Sequence, residues 1–167
     1  MASGPRYAVR FRRRREGKTN YQKRVKLLQS GMPRLIVRKS NKFVTVQITS
    51  YDVAGDKTLL TVNSAKLKGF GWNHSYKNTP AAYLVGLLAG KLAKGKAQVA
   101  IADIGLHNAA KGAKVFAAVK GAIDGGLKVQ FDASMIQADR IAGKHILAHL
   151  KKDIPKDFEA VKAKILK

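Results

Sequence analysis

Residues 34–63, RLIVRKSNKFVTVQITSYDVAGDKTLLTVN, hold three strand-like runs joined by short connections. Residues 34–39 alternate weakly around Leu35, Ile36 and Val37. Ser40-Asn41 is a two-residue turn signal. Residues 42–50 alternate well, with Phe43, Thr45, Gln47 and Thr49 on one face and Val44, Val46 and Ile48 on the other. Residues 52–56, with Gly55 inside, read as a second turn, and residues 57–63 as the third strand. Connections this short make an antiparallel meander.

Downstream the pattern becomes alternating helix and strand. Thr79 caps a helix with Pro80 in its first turn, which runs to about Lys94 and stops at Gly95. Ala82, Gly86, Ala89 and Gly90 make one side of it small, so that it approaches a sheet closely. Residues 98–104 are mostly apolar, as a central strand buried on both faces is. After a loop at 105–111, a helix over 112–124 buries Val115, Phe116, Val119 and Ile123 and ends at Gly125-Gly126. Residues 127–131 read as a last short strand, and residues 139–150 and 155–166 as two tail helices, the second with Phe158, Val161 and Ile165 on one stripe. Helices that separate strands cross over to make parallel neighbours. The expected fold is therefore α/β: a mixed sheet, antiparallel meander plus crossover-connected strands, covered by helices.

Upstream lies the charge. Arg6, Arg10, Arg12, Arg13, Arg14, Arg15, Lys18, Lys23, Arg24 and Lys26 face a single acid, Glu16. Four consecutive arginines cannot enter a core without desolvating unpaired guanidiniums. Residues 1–18 read as an extended basic arm, disordered until a polyanion neutralises it. A helix is expected from Thr19, where Thr19 and Gln22 have the spacing of a capping box, and ends near Gly31. Tyr7, Phe11 and Tyr21, interleaved with the cations, suit stacking on unpaired bases. A solvated tail, a nuclear-import signal or a transit peptide are the plainer readings of the same run. The expected organisation is an arm over 1–18, an α/β core over 19–133 and a helical extension over 134–167.

The whole composition agrees with an anionic partner. The 167 residues include 33 Lys and Arg against 10 Asp and Glu, a formal net charge of +23. Residues 1–50 hold only Glu16 among acids, and the rest of the chain is also basic, so the excess is global. There is no cysteine, which excludes disulfides and zinc knuckles and leaves an intracellular protein as the expectation. No apolar run has membrane-spanning length, and no secretory h-region precedes the arm. The loop 66–78 carries Phe70, Trp72, His74 and Tyr76 among lysines, a composition suited either to base stacking or to a small satellite core.

Enzyme motifs fail. Gly86-x-x-x-Gly90-Lys91 is one residue short of a P-loop and has Leu92 where the Mg-binding hydroxyl belongs. Gly69-Phe70-Gly71 is too little of a dinucleotide fingerprint. His145 and His149 stand four apart but lack the glutamate of a zincin. Asp103 at a strand end, with His107 nearby, is the best remaining catalytic candidate and has no further acid beside it. An RNA-processing enzyme centred there, and a non-specific DNA-packaging protein, are the competing functional readings.

Four blocks carry a resemblance: GPRY…RRRRE, TNYQKRVKLLQSGMPRLIVRKSNK, GW…NTPAAYLVGLLAGKLA and ADIGLHNAAKGAKVFAAVKGAIDGGL. In this order, across residues 4–150, they resemble the archaeal form of the universal family eighteen of large-subunit ribosomal proteins. Those proteins bind 5S rRNA and are related to eukaryotic ribosomal protein L-five. The resemblance implies a cytoplasmic, non-enzymatic scaffold without cofactor, metal or small-molecule substrate. It would dock 5S rRNA onto 23S rRNA in the central protuberance, beside neighbouring large-subunit proteins. Carried onto matching positions, it implies RNA contacts from Arg6, Tyr7, Arg10, Arg12, Arg13, Arg14, Arg15 and Lys18 in the arm. It implies Thr19, Tyr21, Lys23 and Arg24 in the first helix, and Arg38, Lys39, Ser40, Asn41 and Lys42 in the hairpin. Trp72, and His107, Lys111 and Lys114 in the two later loops, complete the expected interface.

Overall fold

The computed structural model describes residues 4–150 and 153–167. Arg12–Arg15 forms one helical turn, α1, and Tyr21–Leu28 forms α2. Strands β1 (Arg34–Lys39), β2 (Val44–Ser50) and β3 (Lys57–Asn63) follow. A 3-10 stretch, Ser64–Phe70, leads to α3 (Thr79–Leu92). Then β4 (Val99–Asp103), α4 (Lys114–Asp124) and β5 (Lys128–Val129) alternate. Three further helices are α5 (Ala138–Ile141), α6 (Lys144–Leu150) and α7 (Ile154–Leu166).

The sheet order is β3-β2-β1-β4-β5. The meander is antiparallel, with Arg34 opposite Thr49 and Lys39 opposite Val44, whereas β4 runs parallel to β1 and β5 parallel to β4. This is the mixed sheet expected. Leu35, Val37, Val46, Ile48 and Val62 point to one face, where α3 and α4 cover them. The alternate residues Arg34, Ile36, Arg38, Gln47, Ile101 and Asp103 share the opposite face, because register sets paired residues on one side. That second face is where the charge collects.

Several local expectations need correction. The residues expected to be wholly extended contain α1, with Phe11 rather than a polar residue at its cap. Asn20, not Thr19, caps α2: its side chain accepts from the Lys23 amide, while the Thr19 hydroxyl accepts from Arg13 Nε at 2.9 Å. The hairpin turn is centred on Asn41-Lys42, one residue later than expected, because Ser40 and Phe43 close it. Ser40 N donates to Phe43 O at 2.8 Å, and Phe43 N donates back to the Ser40 hydroxyl at 3.0 Å. Asn78, rather than Thr79, caps α3.

The small side of α3 meets a helix, not the sheet. A Cβ on Gly86 or Gly90 would overlap the carbonyls of Ala118 or Ala122 in α4, and one on Gly121 the carbonyl of Tyr83. Strand β4 is interior to the sheet, yet its first residue, Val99, on the face away from α3 and α4, is exposed. The tail helix read over 139–150 breaks at Gly143, whose φ is +82°. The stripe Ile154, Phe158, Val161 and Ile165 of α7 joins the same core as α3, and Lys91 Nζ donates to Ile165 O at 2.8 Å. Among the described residues no helix is long and apolar enough to cross a membrane.

Candidate nucleic-acid interface

A ladder of alternating charges crosses the uncovered sheet face. Arg34 is 2% exposed. It donates to Asp56 through Nη2 and to Asp103 Oδ2 through Nη1 at 3.1 Å. Each carboxylate holds a second arginine. Arg24 Nη2 lies 3.0 and 2.9 Å from the two Asp56 oxygens, and Arg38 Nη2 donates to Asp103 Oδ1 at 3.0 Å. Burial pushes the Asp56 carboxyl up, and the hydrogen bonds from Arg34 and Arg24 outweigh it, so its pKa lies below the usual value. The ladder joins α2, β1, β4 and the β2–β3 connection, and it presents Arg24 and Arg38 in fixed positions.

Arg38 is also seated on the loop after β4. Its Nη1 donates to Asp103 O at 2.8 Å, and Gly105 N donates to Asp103 Oδ1 at 2.8 Å. Gly105 has φ +62°, and a Cβ there would come within 2.7 Å of the Arg38 guanidinium carbon. The glycine therefore serves both the turn and the seat of the arginine.

A second cationic patch forms where the hairpin meets that loop. Lys39 N donates to His107 Nε2 at 3.3 Å, which places the hairpin and the loop in contact. Burial, with Lys39 and Arg38 beside it, holds the His107 pKa below its ordinary value. Burial, with Lys77, Lys39 and Arg140 near it, lowers the Lys114 pKa as well. Burial is the first cause of both shifts, and the cations beside His107 and Lys114 add to it, so the patch carries a net positive field.

The arm is open to solvent: residues 4–18 are exposed throughout, and Phe11 is 71% exposed although its ring centroid lies 5.2 Å from that of Tyr21. Between the arm, α2 and the uncovered sheet face runs a groove of about 690 Å³.

The family described as ribosomal large subunit proteins 60S L5 and 50S L18 matches residues 5–100 and 92–132. The chain is 50% identical to the "Large ribosomal subunit protein uL18" of Methanoregula boonei, over 100% of this chain and 98% of the relative. It is 48% identical to the proteins of the same name from Methanothrix thermoacetophila, over 99% of both chains, and Methanoculleus marisnigri, over 100% of this chain and 98% of the relative. The chain belongs to the L5/L18 family of large-subunit ribosomal proteins. That family consists of structural ribosomal proteins and is not known for enzymatic activity.

The catalytic alternative fails on geometry too. In this L5/L18 protein the Asp103 carboxylate is taken up by two guanidiniums and a backbone amide, and His107 Nε2 accepts from a backbone amide. Both groups are used in holding the hairpin and the loop together. Of the expected site residues, the arm positions, Lys23, Lys39, Ser40, Asn41, Lys42 and Lys111 are exposed. Thr19, Tyr21, Arg24, Arg38, His107 and Lys114 are half-buried.

Trp72, expected at the interface, lies in the core of the chain. It is 0% exposed, and its indole N–H donates to Ser75 O at 3.3 Å. The neighbouring aromatics are also used internally: Tyr76 packs 5.9 Å from Phe43, and His74 lies 2.6 Å from an Asp157 oxygen of α7. The loop joins the main core through Trp72, with Phe70 and Tyr76 packed against it, rather than forming a satellite of its own. Arg34, Lys77 and Arg140 were missing from the expected set. Lys77 flanks the aromatic loop and so carried a weak signal, whereas nothing local marks Arg34 or Arg140, whose roles arise only when distant segments meet.

Proposed function

We propose that this L5/L18 protein binds 5S rRNA and anchors it to 23S rRNA in the central protuberance of the large subunit, as a cytoplasmic scaffold. The reading is carried by one observation: the ladder and the crowded patch lie on elements that meet through Lys39 and His107, next to a wholly exposed arm. Residues 4–18 then follow phosphates, and Lys39, Asn41 and Lys42 present a preformed hairpin to RNA. Counterion release supplies most of the affinity, while shape and a few base contacts select the RNA.

Titration of purified protein with 5S rRNA, transfer RNA and duplex DNA at two salt concentrations tests this. Binding that still favours 5S rRNA at the higher salt is expected. Equal binding to all three, erased by salt, would leave only a basic protein. Changing both Lys39 and Lys42, exposed on the hairpin, to Ala is expected to lower 5S affinity at unchanged melting temperature. Removal of residues 1–18 is expected to do the same.

A further inference from the structure

The groove between α2 and the sheet has a composition that phosphate contacts alone do not explain. Seven cations line it against two carboxylates, Asp56 and Asp103, and both carboxylates are already paired with Arg34. Its floor is nevertheless partly apolar: Ile36 and Ile101 lie diagonally across β1 and β4, each beside one member of the Arg34–Asp103 pair and partly open to solvent, and Leu27 of α2 lines the same groove. Helix α2 buries no residue, and the Arg24–Asp56 pair ties it to the β2–β3 connection. One wall is therefore held by an ion pair rather than by a packed core. The volume, about 690 Å³, lies within the range of pockets that enclose small organic ligands.

An apolar floor under a cationic rim matches the two halves of a nucleotide. The flat base gains by leaving water against aliphatic side chains, and its phosphates stay at the mouth among ammonium and guanidinium groups. We propose that the groove takes one unstacked nucleotide of the bound RNA, with its base on Ile36 and Ile101 and its phosphates on Arg13, Lys18 and Lys23. This rests on the rRNA-binding reading above. Gln47 supplies edge contacts: its Nε2 donates to Thr61 Oγ1 at 3.1 Å, which fixes the amide and leaves its carbonyl to accept from a base. The surplus of positive charge is what favours a nucleotide over an apolar protein segment.

Photocrosslinking of the full chain to 5S rRNA, with the linked peptides mapped by mass spectrometry, tests the assignment. The expected result is a single nucleotide joined to Leu27, Ile36 or residues 101–106, the groove positions outside the arm, the hairpin tip and the cationic face of α2. Crosslinks confined to the arm and the hairpin, with 5S affinity intact, overturn the groove assignment and leave the rRNA reading standing. Loss of any preference for 5S rRNA overturns both.

The second measurement fills the groove. Ile36→Trp is expected to reduce 5S affinity by about 10- to 100-fold, the range of a lost base-stacking contact, while non-specific binding to duplex RNA is unchanged. Undiminished 5S affinity in a folded Ile36→Trp protein overturns the proposal. If that variant does not fold, the crosslink map of the unaltered chain decides.

Discussion

Arg34 and Asp103, on the neighbouring parallel strands β1 and β4, form an ion pair of 3.1 Å whose side chains are only 2% and 8% exposed. Coulomb attraction in such a site is strong, but so is the cost of desolvating both groups, and the outcome depends on every remaining valence being met. Here Asp103 is met by Arg38 and by Gly105 N, and Arg34 by Asp56 through Nη2, while the buried Arg34 Nε finds no partner among the described residues.

Asp103→Ala leaves the buried Arg34 half-paired and frees Arg38 from its seat. The expected loss is about 3 kcal/mol, the low end for a broken buried pair because Asp56 remains. Urea denaturation measures it. A loss below about 0.5 kcal/mol would show that the pair contributes nothing to folding.

The α3–α4 approach makes a steric prediction. Gly86→Ala places a methyl group against the Ala118 carbonyl, and backbone cannot swing aside as a flexible side chain does. The expected cost is about 1–3 kcal/mol, a fall in melting temperature of roughly 2–12 °C for a domain of this size. Gly69→Ala, which meets nothing within 4 Å, is the control and is expected to melt like the unaltered protein.

Trp72 is the only tryptophan of the chain, which makes its fluorescence a direct reporter. Full burial predicts blue-shifted emission and weak acrylamide quenching, and saturating RNA is expected to leave both unchanged. Strong quenching by RNA would place the indole in the interface after all. Trp72→Ala is expected to destabilise the fold by about 3–5 kcal/mol.

His107 supplies a pH prediction. Its folded pKa is depressed, first by burial and then by Lys39 and Arg38, and its Nε2 accepts the Lys39 amide only when that nitrogen is unprotonated. Below the ordinary histidine value near 6.5 the unfolded chain therefore binds more protons than the folded one. The stabilisation is complete above that value and is lost as pH falls toward the folded pKa. Nearby phosphates favour the charged ring, so bound RNA is expected to raise the His107 pKa. A proton NMR titration with and without RNA checks the sign. An unmoved pKa would put phosphates out of reach of this patch.

Much of the architecture was readable from local pattern. The alternation of Val44, Val46 and Ile48 specified a half-buried strand, because a period of two leaves one face for the core. Gly31, Gly95 and Gly125-Gly126 marked helix ends, and α7 carried its apolar stripe openly. The arginines of the arm were legible for the opposite reason: so dense a charge has no place in a core, and residues 4–18 are exposed.

What sequence pattern could not assign was how each polar or aromatic residue is used once distant segments meet. Trp72 and Tyr76 carried the composition of a stacking loop, yet they lie on the core and on Phe43. Gly86 and Gly90 allowed a close approach without naming the neighbour, which proved to be α4. Arg34 looked like any strand-end cation until Asp56 and Asp103, 22 and 69 residues away, closed around it. Local propensity and charge follow from neighbours along the chain and are present in the sequence. Burial and ion pairing depend on which remote groups share a dielectric environment, and only tertiary packing decides that.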